Sequence, residues 1–312
     1  MSAFVIVNPR SGHGRTAREW PKIERSLRAA YPQMNTAFTQ KRGEATALVR
    51  QALSEGHSEV IAVGGDGTIN EAVNGLFDET GPLAPDAVFG FVTSGTGGDF
   101  RKTFGISAGY DAAISRLKEA TPRRVDVGRI SCLTQNGQPS VRYFINIASF
   151  GMSGGIVDSV NRARIAKLFG GSFAFAFHSL FGMLRYRDKA VRIRVDGDFD
   201  EIARISTVAV ANGQYFGGGM RVAPNARTDD GQFDVIVMGG TPKSRAMADM
   251  KLIYTGEHLN NPAVRALRGQ KIVAVPVAET GGRPVLIEAD GESVGRLPAT
   301  FEILPRALYL RC

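Results

Sequence analysis

The chain has 312 residues, 43% hydrophobic and 22% charged, an ordinary balance for a folded protein that excludes wholesale disorder and leaves room for one or two domains. Its 38 lysines and arginines against 30 aspartates and glutamates give a net charge of +8, which favours an anionic partner such as a nucleotide, a nucleic acid or an anionic membrane surface. The only two cysteines, Cys132 and Cys312, exclude a disulfide framework and a cysteine metal site and fit a reducing cytoplasm.

The chain runs directly into a predicted strand, Phe4 to Val7, with no basic, apolar and cleavage regions of a secretory signal. Asn8-Pro9-Arg10-Ser11-Gly12-His13-Gly14 follows as a polar glycine turn. A helix is predicted over Thr16 to Ala29, a strand over Met34 to Thr39 and an amphipathic helix over Gly43 to Leu53. The apolar run Val60 to Val63 then enters a knot of glycine, Gly64-Gly65-Asp66-Gly67-Thr68, and leaves it in a helical pattern of Ile69, Ala72, Val73 and Leu76. Strand, tight turn and helix in that order suit a phosphate. Glycine permits positive φ and close backbone approach, and the helix turns its positive end to the same place. Asp66 sets this turn apart, because a carboxylate beside an anion is repulsive unless a metal ion or a hydroxyl proton lies between them. The spacing is neither G-x-G-x-x-G nor G-x-x-x-x-G-K-[ST], which counts against a dehydrogenase or a P-loop protein.

A strand at Val88 to Val92, a turn over Thr93 to Asp99 and helices near Phe100 and over Asp111 to Glu119 complete an alternation that predicts a doubly wound parallel sheet. Ligands of such sheets sit beyond the carboxyl ends of the strands, where three loops carry the unusual residues: Asn8 to Gly14, Gly64 to Thr68 and Ser94 to Asp99. The pattern changes near Thr121-Pro122. Strands are predicted at Val125 to Ile130, Val141 to Ala148, Val191 to Val195, Ile205 to Ala211, Gly219 to Ala223, Phe233 to Met238, Ile272 to Val277, Val285 to Glu288 and Thr300 to Leu304. Helices interrupt them at Gly155 to Lys167, Phe173 to Tyr186 and Pro242 to Tyr254. This is the pattern of a β-sandwich or barrel-like second domain. The expected division is 1–122 and 123–304, with 305–312 returning to the first domain. The apolar run Ser172 to Leu184 is shorter than the ~20 residues of a spanning helix and reads as a core helix or a lipid-facing surface. His178 within it reads as packed, and His13 as a candidate phosphate contact.

Three polar turns of the second half invite a chemical reading. Asn212 to Met220 and Ala223 to Gly231 either simply turn the chain or form an oxygen-rich site, where Asp230 and main-chain carbonyls could hold Mg²⁺. Glu288-Ala289-Asp290-Gly291-Glu292 gathers three carboxylates at a strand end. It is either a solvated hairpin or the seat of a general base that takes a proton from an attacking hydroxyl.

Taken in order, these stretches resemble the diacylglycerol kinase catalytic-domain family, in its compact bacterial lipid-kinase branch, over nearly the whole chain. The resemblance rests on Asn8-Pro9-x-Ser11-Gly12, on Gly64 to Glu71, on Gly95-Thr96-Gly97-Gly98-Asp99-Phe100 and on Asp126-Val127-Gly128. It continues through Asn146-Ile147-Ala148-Ser149-x-Gly151, the region Asn212 to Asp234, and Asp290-Gly291-Glu292. It implies an N-terminal α/β nucleotide-binding domain, a C-terminal β-sandwich-like lipid domain, and phosphorylation of a lipid hydroxyl by ATP in a cleft between them. By that resemblance Asn8, Thr39, Gly64, Gly65, Asp66, Gly67, Thr68, Glu71 and Thr96 serve the nucleotide, Asp66 also orients catalytic Mg²⁺, and Asp99 assists. Glu292 corresponds to the general base. A structural Mg²⁺ maps to the Asp230 side chain and to main-chain carbonyls of Arg227 and Gln232. Gly98 departs from the family, which usually carries Asn there. The implied partners are a lipid substrate at a membrane surface, through peripheral contact by a cytoplasmic protein, with a homodimer as a candidate assembly and no nucleic acid, since no basic and aromatic interleaving marks a stacking groove. The competing readings are an NAD kinase-like enzyme, which shares the Gly-Gly-Asp-Gly-Thr turn, and a non-catalytic nucleotide or lipid sensor on the same scaffold.

Overall fold

The computed structural model describes residues 3–93, 98–162, 186–240, 242, 250–277 and 284–312. The chain divides into two compact units, Met1–Val127 with Pro305–Cys312, and Gly128–Leu304. Thr96 and most of the turn before Asp99, the apolar run 172–184 with His178, the end of the helix expected to Lys167 and most of the first half of the one expected from Pro242 lie outside the described residues.

The first unit is a parallel sheet covered on both faces. Its strands are β1 (Ala3–Val7), β2 (Asn35–Phe38), β3 (Glu59–Gly64) and β4 (Val88–Thr93), in the order β2-β1-β3-β4. Beside β4, the C-terminal end of β15 (Glu292–Arg311) adds a fifth parallel strand, with Tyr309 opposite Val88. β1 and β3 are buried along their whole length, as continuous apolar runs in a two-sided sheet must be. On one face Trp20, Ile23 and Leu27 of α1 (Ser11–Ala30) and Ala113, Ile114 and Leu117 of α5 (Tyr110–Glu119) pack on Val5, Val7, Ile61 and Val63. α2 (Glu44–Ser54) and α3 (Asp66–Gly75) pack together, so closely that a Cβ on Gly75 would lie 2.5 Å from Val49. α4 (Asp99–Thr103) is a single short turn. The C-terminal strand is pinned by Arg311, whose Nε donates to Glu59 at 2.8 Å, while Tyr31 donates to the same carboxylate at 2.9 Å. Burial and the Glu59 charge push the Tyr31 phenol well above its ordinary range.

The second unit is antiparallel and sandwich-like. It comprises β5 (Arg123–Leu133), β6 (Pro139–Phe144), β7 (Ile147–Gly151), β8 (Lys189–Val195), β9 (Phe199–Ile205), β10 (Thr207–Ala211), β11 (Phe233–Met238), β12 (Val264–Gly269), β13 (Lys271–Pro276), β14 (Leu286–Ala289) and the first part of β15, with α6 (Met152–Arg162) set on β14. One ladder runs β12-β11-β10-β7-β14-β15 and another β15-β13-β8-β9. Phe144 stacks on Phe233 and Phe150 on Phe301 in the shared core. α6 approaches so near that a Cβ on Gly154 would stand 2.2 Å from the Leu286 carbonyl oxygen.

Several expected elements change. The strand expected at Gly219 to Ala223 is a turn, because Gly217, Gly218 and Gly219 all have positive φ and only Phe216 and Met220 bridge. The single strand expected over Val141 to Ala148 is two, broken at Ile145-Asn146, and Ile205 to Ala211 likewise divides around Ser206. β9 and β12 went unpredicted: both are edge strands in which charged residues hide the alternation, as edges guarded against further pairing do.

Candidate functional site

The nucleotide-facing candidates of the first unit gather where strand order reverses. β1 is followed by a helix on one face and β3 by a helix on the other, so the loops after these neighbouring strands diverge and leave a crevice. Asn8, just after β1, and Thr68, in the first turn of α3, meet across it: Asn8 Nδ2 donates to Thr68 Oγ1 at 2.9 Å, and Asn8 Oδ1 accepts the Arg10 N–H at 3.0 Å. The glycines act differently from expectation. Gly64 does not adopt a positive φ; it is glycine because a Cβ there would stand 2.6 Å from the Thr68 hydroxyl. Gly65 is extended, with φ −93° and ψ −179°, and as N-cap contributes no side-chain hydrogen bond to α3. The first-turn amides of α3 therefore receive no acceptor from the capping side chain, which favours an anionic ligand in that place. Gly67 lies within α3 itself, where a glycine needs no special φ. The left-handed residues of this crevice are instead Gly12, His13 and Gly14, with φ 58°, 57° and 81°.

Asp66 opens α3, where the helix dipole favours its charge, and its Oδ2 accepts the Gly98 N–H at 3.0 Å. Gly98 has φ 60° and caps α4, so the backbone amide at the position where the family usually has Asn anchors Asp66. Asp99 is buried and ion-paired with Lys102 at 3.0 Å. Thr39 is buried at the end of β2, its N–H bonded to the Val7 carbonyl at 2.9 Å. Glu71 is committed elsewhere: its Oε1 accepts the Gly43 N–H at 2.8 Å and its carbonyl accepts the Thr46 hydroxyl, tying α2 to α3.

The second unit builds its site on the two-residue turn between β14 and β15. Asp290 and Gly291 have φ 49° and 82°, the Asp-Gly pairing of a type I′ hairpin. Far from being solvated, Asp290 accepts three backbone N–H groups, from Ile145, Asn146 and Ile147, each at 3.1 Å. Asn146 donates to the Tyr215 carbonyl at 2.7 Å and Asn212 to that of Ile145 at 2.8 Å, so the break between β6 and β7, the glycine turn and the hairpin form one network. Glu292 follows on this fixed base, partly exposed. Beneath it Glu288 is 3% exposed, accepting the Gly291 N–H at 3.0 Å and the Ser149 hydroxyl. The sequence groups Glu288 with Asp290 and Glu292 as three carboxylates of which one could serve as the base, and the resemblance singles out Glu292.

The two Mg²⁺ expectations fare differently. Asp66 offers a hard oxygen donor beside a phosphate-type turn, and Mg²⁺ is usually held by one or two carboxylates together with substrate phosphates and water, so the donor set fits. The other expected set is the Asp230 side chain with the main-chain carbonyls of Arg227 and Gln232. Asp230 Oδ2 is ion-paired with Arg268 and Oδ1 accepts the Gln232 N–H at 3.2 Å, so a guanidinium occupies the place of a cation, while Arg227 pairs with Asp229. Arg268, missed in the sequence, also reaches Asp234 at 3.7 Å; burial raises the proton affinity of Asp234, which that guanidinium offsets. Among the described residues no three His, Cys, Asp or Glu cluster as a metal site, and no helix is long and apolar enough to cross a membrane.

Comparison with known proteins also divides the chain in two, with residues 305–312 counted in the second part. Residues 2–130 match the model of the diacylglycerol kinase catalytic domain, and residues 146–312 that of the YegS C-terminal NAD kinase beta sandwich-like domain. A diacylglycerol kinase of Staphylococcus carnosus is 30% identical over 302 residues, covering 96% of this chain and 91% of its own. A crystal structure from Bacillus anthracis, described as a candidate diacylglycerol kinase, superposes with a TM-score of 0.77 at 25% identity over 99% of this chain and 96% of that one. Yeast NADH kinase, crystallised with NADH, shares the fold with a TM-score of 0.52 and 12% identity, over 99% of this chain and 82% of that one.

Proposed function

The chain belongs to the diacylglycerol kinase catalytic-domain family, and from that premise we propose that it transfers the γ-phosphate of ATP to the hydroxyl of a lipid, of the diacylglycerol type, at a membrane surface that it contacts peripherally. The observation that carries this reading is the turn from Gly64 to Thr68, where an uncapped helix start, a hydroxyl braced by Asn8 and a carboxylate fixed by Gly98 converge at the reversal of strand order. Backbone amides and Thr68 hold the phosphates there, with Thr39 and Thr96 as nucleotide contacts. Glu71 acts indirectly by fixing Gly43.

Phosphoryl transfer asks for positioning and charge neutralisation more than covalent chemistry. Asp66 would hold Mg²⁺ against the phosphates, where the ion when bound offsets their charge. Glu292 takes the proton of the acceptor hydroxyl as its oxygen bonds to the γ-phosphorus and the bond to the bridging oxygen of ADP breaks. Asp290 and Gly291 hold that carboxylate in place without touching the proton. The net charge of +8 supports approach to an anionic surface.

The test incubates total extracted lipid with ATP and Mg²⁺ and identifies phosphorylated products by mass spectrometry, for the parent and for Asp66→Ala and Glu292→Ala. Each variant is expected to lose at least about 10²-fold in rate while keeping the parent's thermal melt. Full turnover in both would overturn the assignment, and phosphorylation of NAD in place of any lipid would redirect it.

A further inference from the structure

The motifs at Asn146 and Asn212 have no part in the transfer described above, yet both are wired to the turn that carries the base. Between β6 and β7 the chain leaves its pairing with β5 and enters the ladder between β10 and β14, and residues 145–147 form the corner. Every main-chain polar group of that corner is bonded. The three N–H groups go to the Asp290 carboxylate, each at 3.1 Å. The Ile145 carbonyl accepts Asn212 Nδ2 at 2.8 Å, and the Asn146 carbonyl accepts the Asn212 and Gly213 N–H groups at 2.9 and 2.8 Å. The Ile147 carbonyl accepts the Asp290 N–H at 3.0 Å. The Asn146 side chain serves none of these groups. Although only 5% of the residue is exposed, its Nδ2 reaches away from the corner to the Tyr215 carbonyl at 2.7 Å, in the glycine turn that begins at the fully buried Asn212.

We propose that Asn146 and Asn212 are positioning residues for Glu292: they lock the hairpin turn before it onto the glycine turn, so that the base keeps one place as the acceptor hydroxyl approaches. This rests on the reading of Glu292 as the base. The physical reason lies in the freedom of a hairpin tip. A two-residue turn is ordinarily among the mobile parts of a sheet, and a base displaced by about 1 Å loses the geometry that proton transfer needs. Asp290 fixes the tip to the corner, and Asn212 fixes the corner to the start of the glycine turn. Asn146 fixes it again at Tyr215. Two attachments resist a rotation that one would permit. The glycine turn is itself braced, since Gln214 Oε1 accepts Arg221 Nε at 3.2 Å and Phe216 bridges Met220.

The experiment compares the full chain with Asn146→Ala, Glu292→Ala and the double variant, using extracted lipid and labelled ATP at a temperature where circular dichroism shows each to be folded. Asn146→Ala is expected to lower the maximal rate about 10- to 100-fold and to leave the KM for ATP within about twofold of the parent's. Added to Glu292→Ala it should lower the residual rate no further, because it acts only through that carboxylate. A merely structural role would make the two losses multiply. That result, or an unchanged maximal rate in Asn146→Ala, overturns the proposal. Should Asn146→Ala not fold, Asn146→Ser, with a shorter donor, carries the same cycle. Hydrogen exchange without substrate gives a second readout: the amides of residues 145–147 and 290–292 should exchange roughly tenfold faster in the Asn146 variant than in the parent. Unchanged exchange overturns the proposal as well. A parent that phosphorylates no lipid, yet loses this protection with Asn146, would overturn the lipid-kinase reading and leave the clamp standing.

Discussion

The turn after β3 and the turn after β14 each set an aspartate beside glycine at a strand end, and the two use that carboxylate in opposite ways. Asp66 accepts the Gly98 amide at the mouth of a helix whose cap residue, Gly65, offers the first turn its carbonyl and no side chain. Asp290 accepts three amides and anchors the break between β6 and β7. In the function proposed above, the Gly-Gly-Asp-Gly turn receives a ligand and the Asp-Gly-Glu turn presents a side chain. An aspartate that accepts several buried amides is structural whatever motif it belongs to, because each orphaned amide would carry its own penalty.

That contrast is broken most severely at Asp290. Asp290→Ala leaves three amides without their acceptor and should cost on the order of 4 kcal/mol in a urea melt, whereas Asp66→Ala should cost about 1 kcal/mol or less. Equal losses at the two sites would mean that Asp66 is as much a structural anchor as Asp290.

A smaller effect sharpens the first turn. Gly98 holds Asp66 from a left-handed conformation, and a Cβ there would meet the flexible end of Arg101 at 2.6 Å. Gly98→Val should lose about 1–3 kcal/mol, since a β-branched residue is strained at that φ. Gly98→Asn, restoring the residue usual in the family, should be nearly neutral because asparagine tolerates positive φ. Activity in Gly98→Asn equal to or above the parent's would show that the departure at this position leaves the Asp66 anchor intact. A collapse of activity would show that the backbone amide, and not the absent side chain, had been optimised here.

Much of the fold was legible because its strands are apolar runs with glycine punctuation: β1, β3, β4 and β11 fall where periodicity put them. The edge strands β9 and β12 were not, since Asp200, Glu201 and Arg204 in one and Arg265 and Arg268 in the other break the alternation for reasons set by their neighbours. In the site, Asp66 and Glu292 announce themselves by local pattern. The reason for Gly64 does not, because the Thr68 side chain it must admit lies four residues on and is held by Asn8. The burial of Glu288 and the ion pairs of Arg268 were invisible for a similar reason. Burial of the first and ion-pairing of the second come from strands distant in sequence, β7 beside β14 and β12 beside the loop that precedes β11.

The smallest expected effect concerns that loop, where a cation site and an arginine compete for one carboxylate. In the parent, Arg268 pairs with Asp230 and stands 3.7 Å from Asp234, so the two aspartates already share a positive partner and chelation should move the melting temperature by less than about 1 °C. The Arg268 side chain is 49% exposed, so screening keeps its own contribution small and Arg268→Ala should cost less than about 1 kcal/mol. Removing the guanidinium nevertheless leaves Asp230 and Asp234 as neighbouring negative charges with oxygen donors turned to the same place, which is what a hard cation requires. Millimolar Mg²⁺ should then stabilise Arg268→Ala and leave the parent unchanged, because an ion stabilises only where it binds the folded form. If instead Mg²⁺ raises the parent's melting temperature and chelation reverses it, the ion displaces Arg268 and the loop after β10 is a metal site like the one implied by the resemblance.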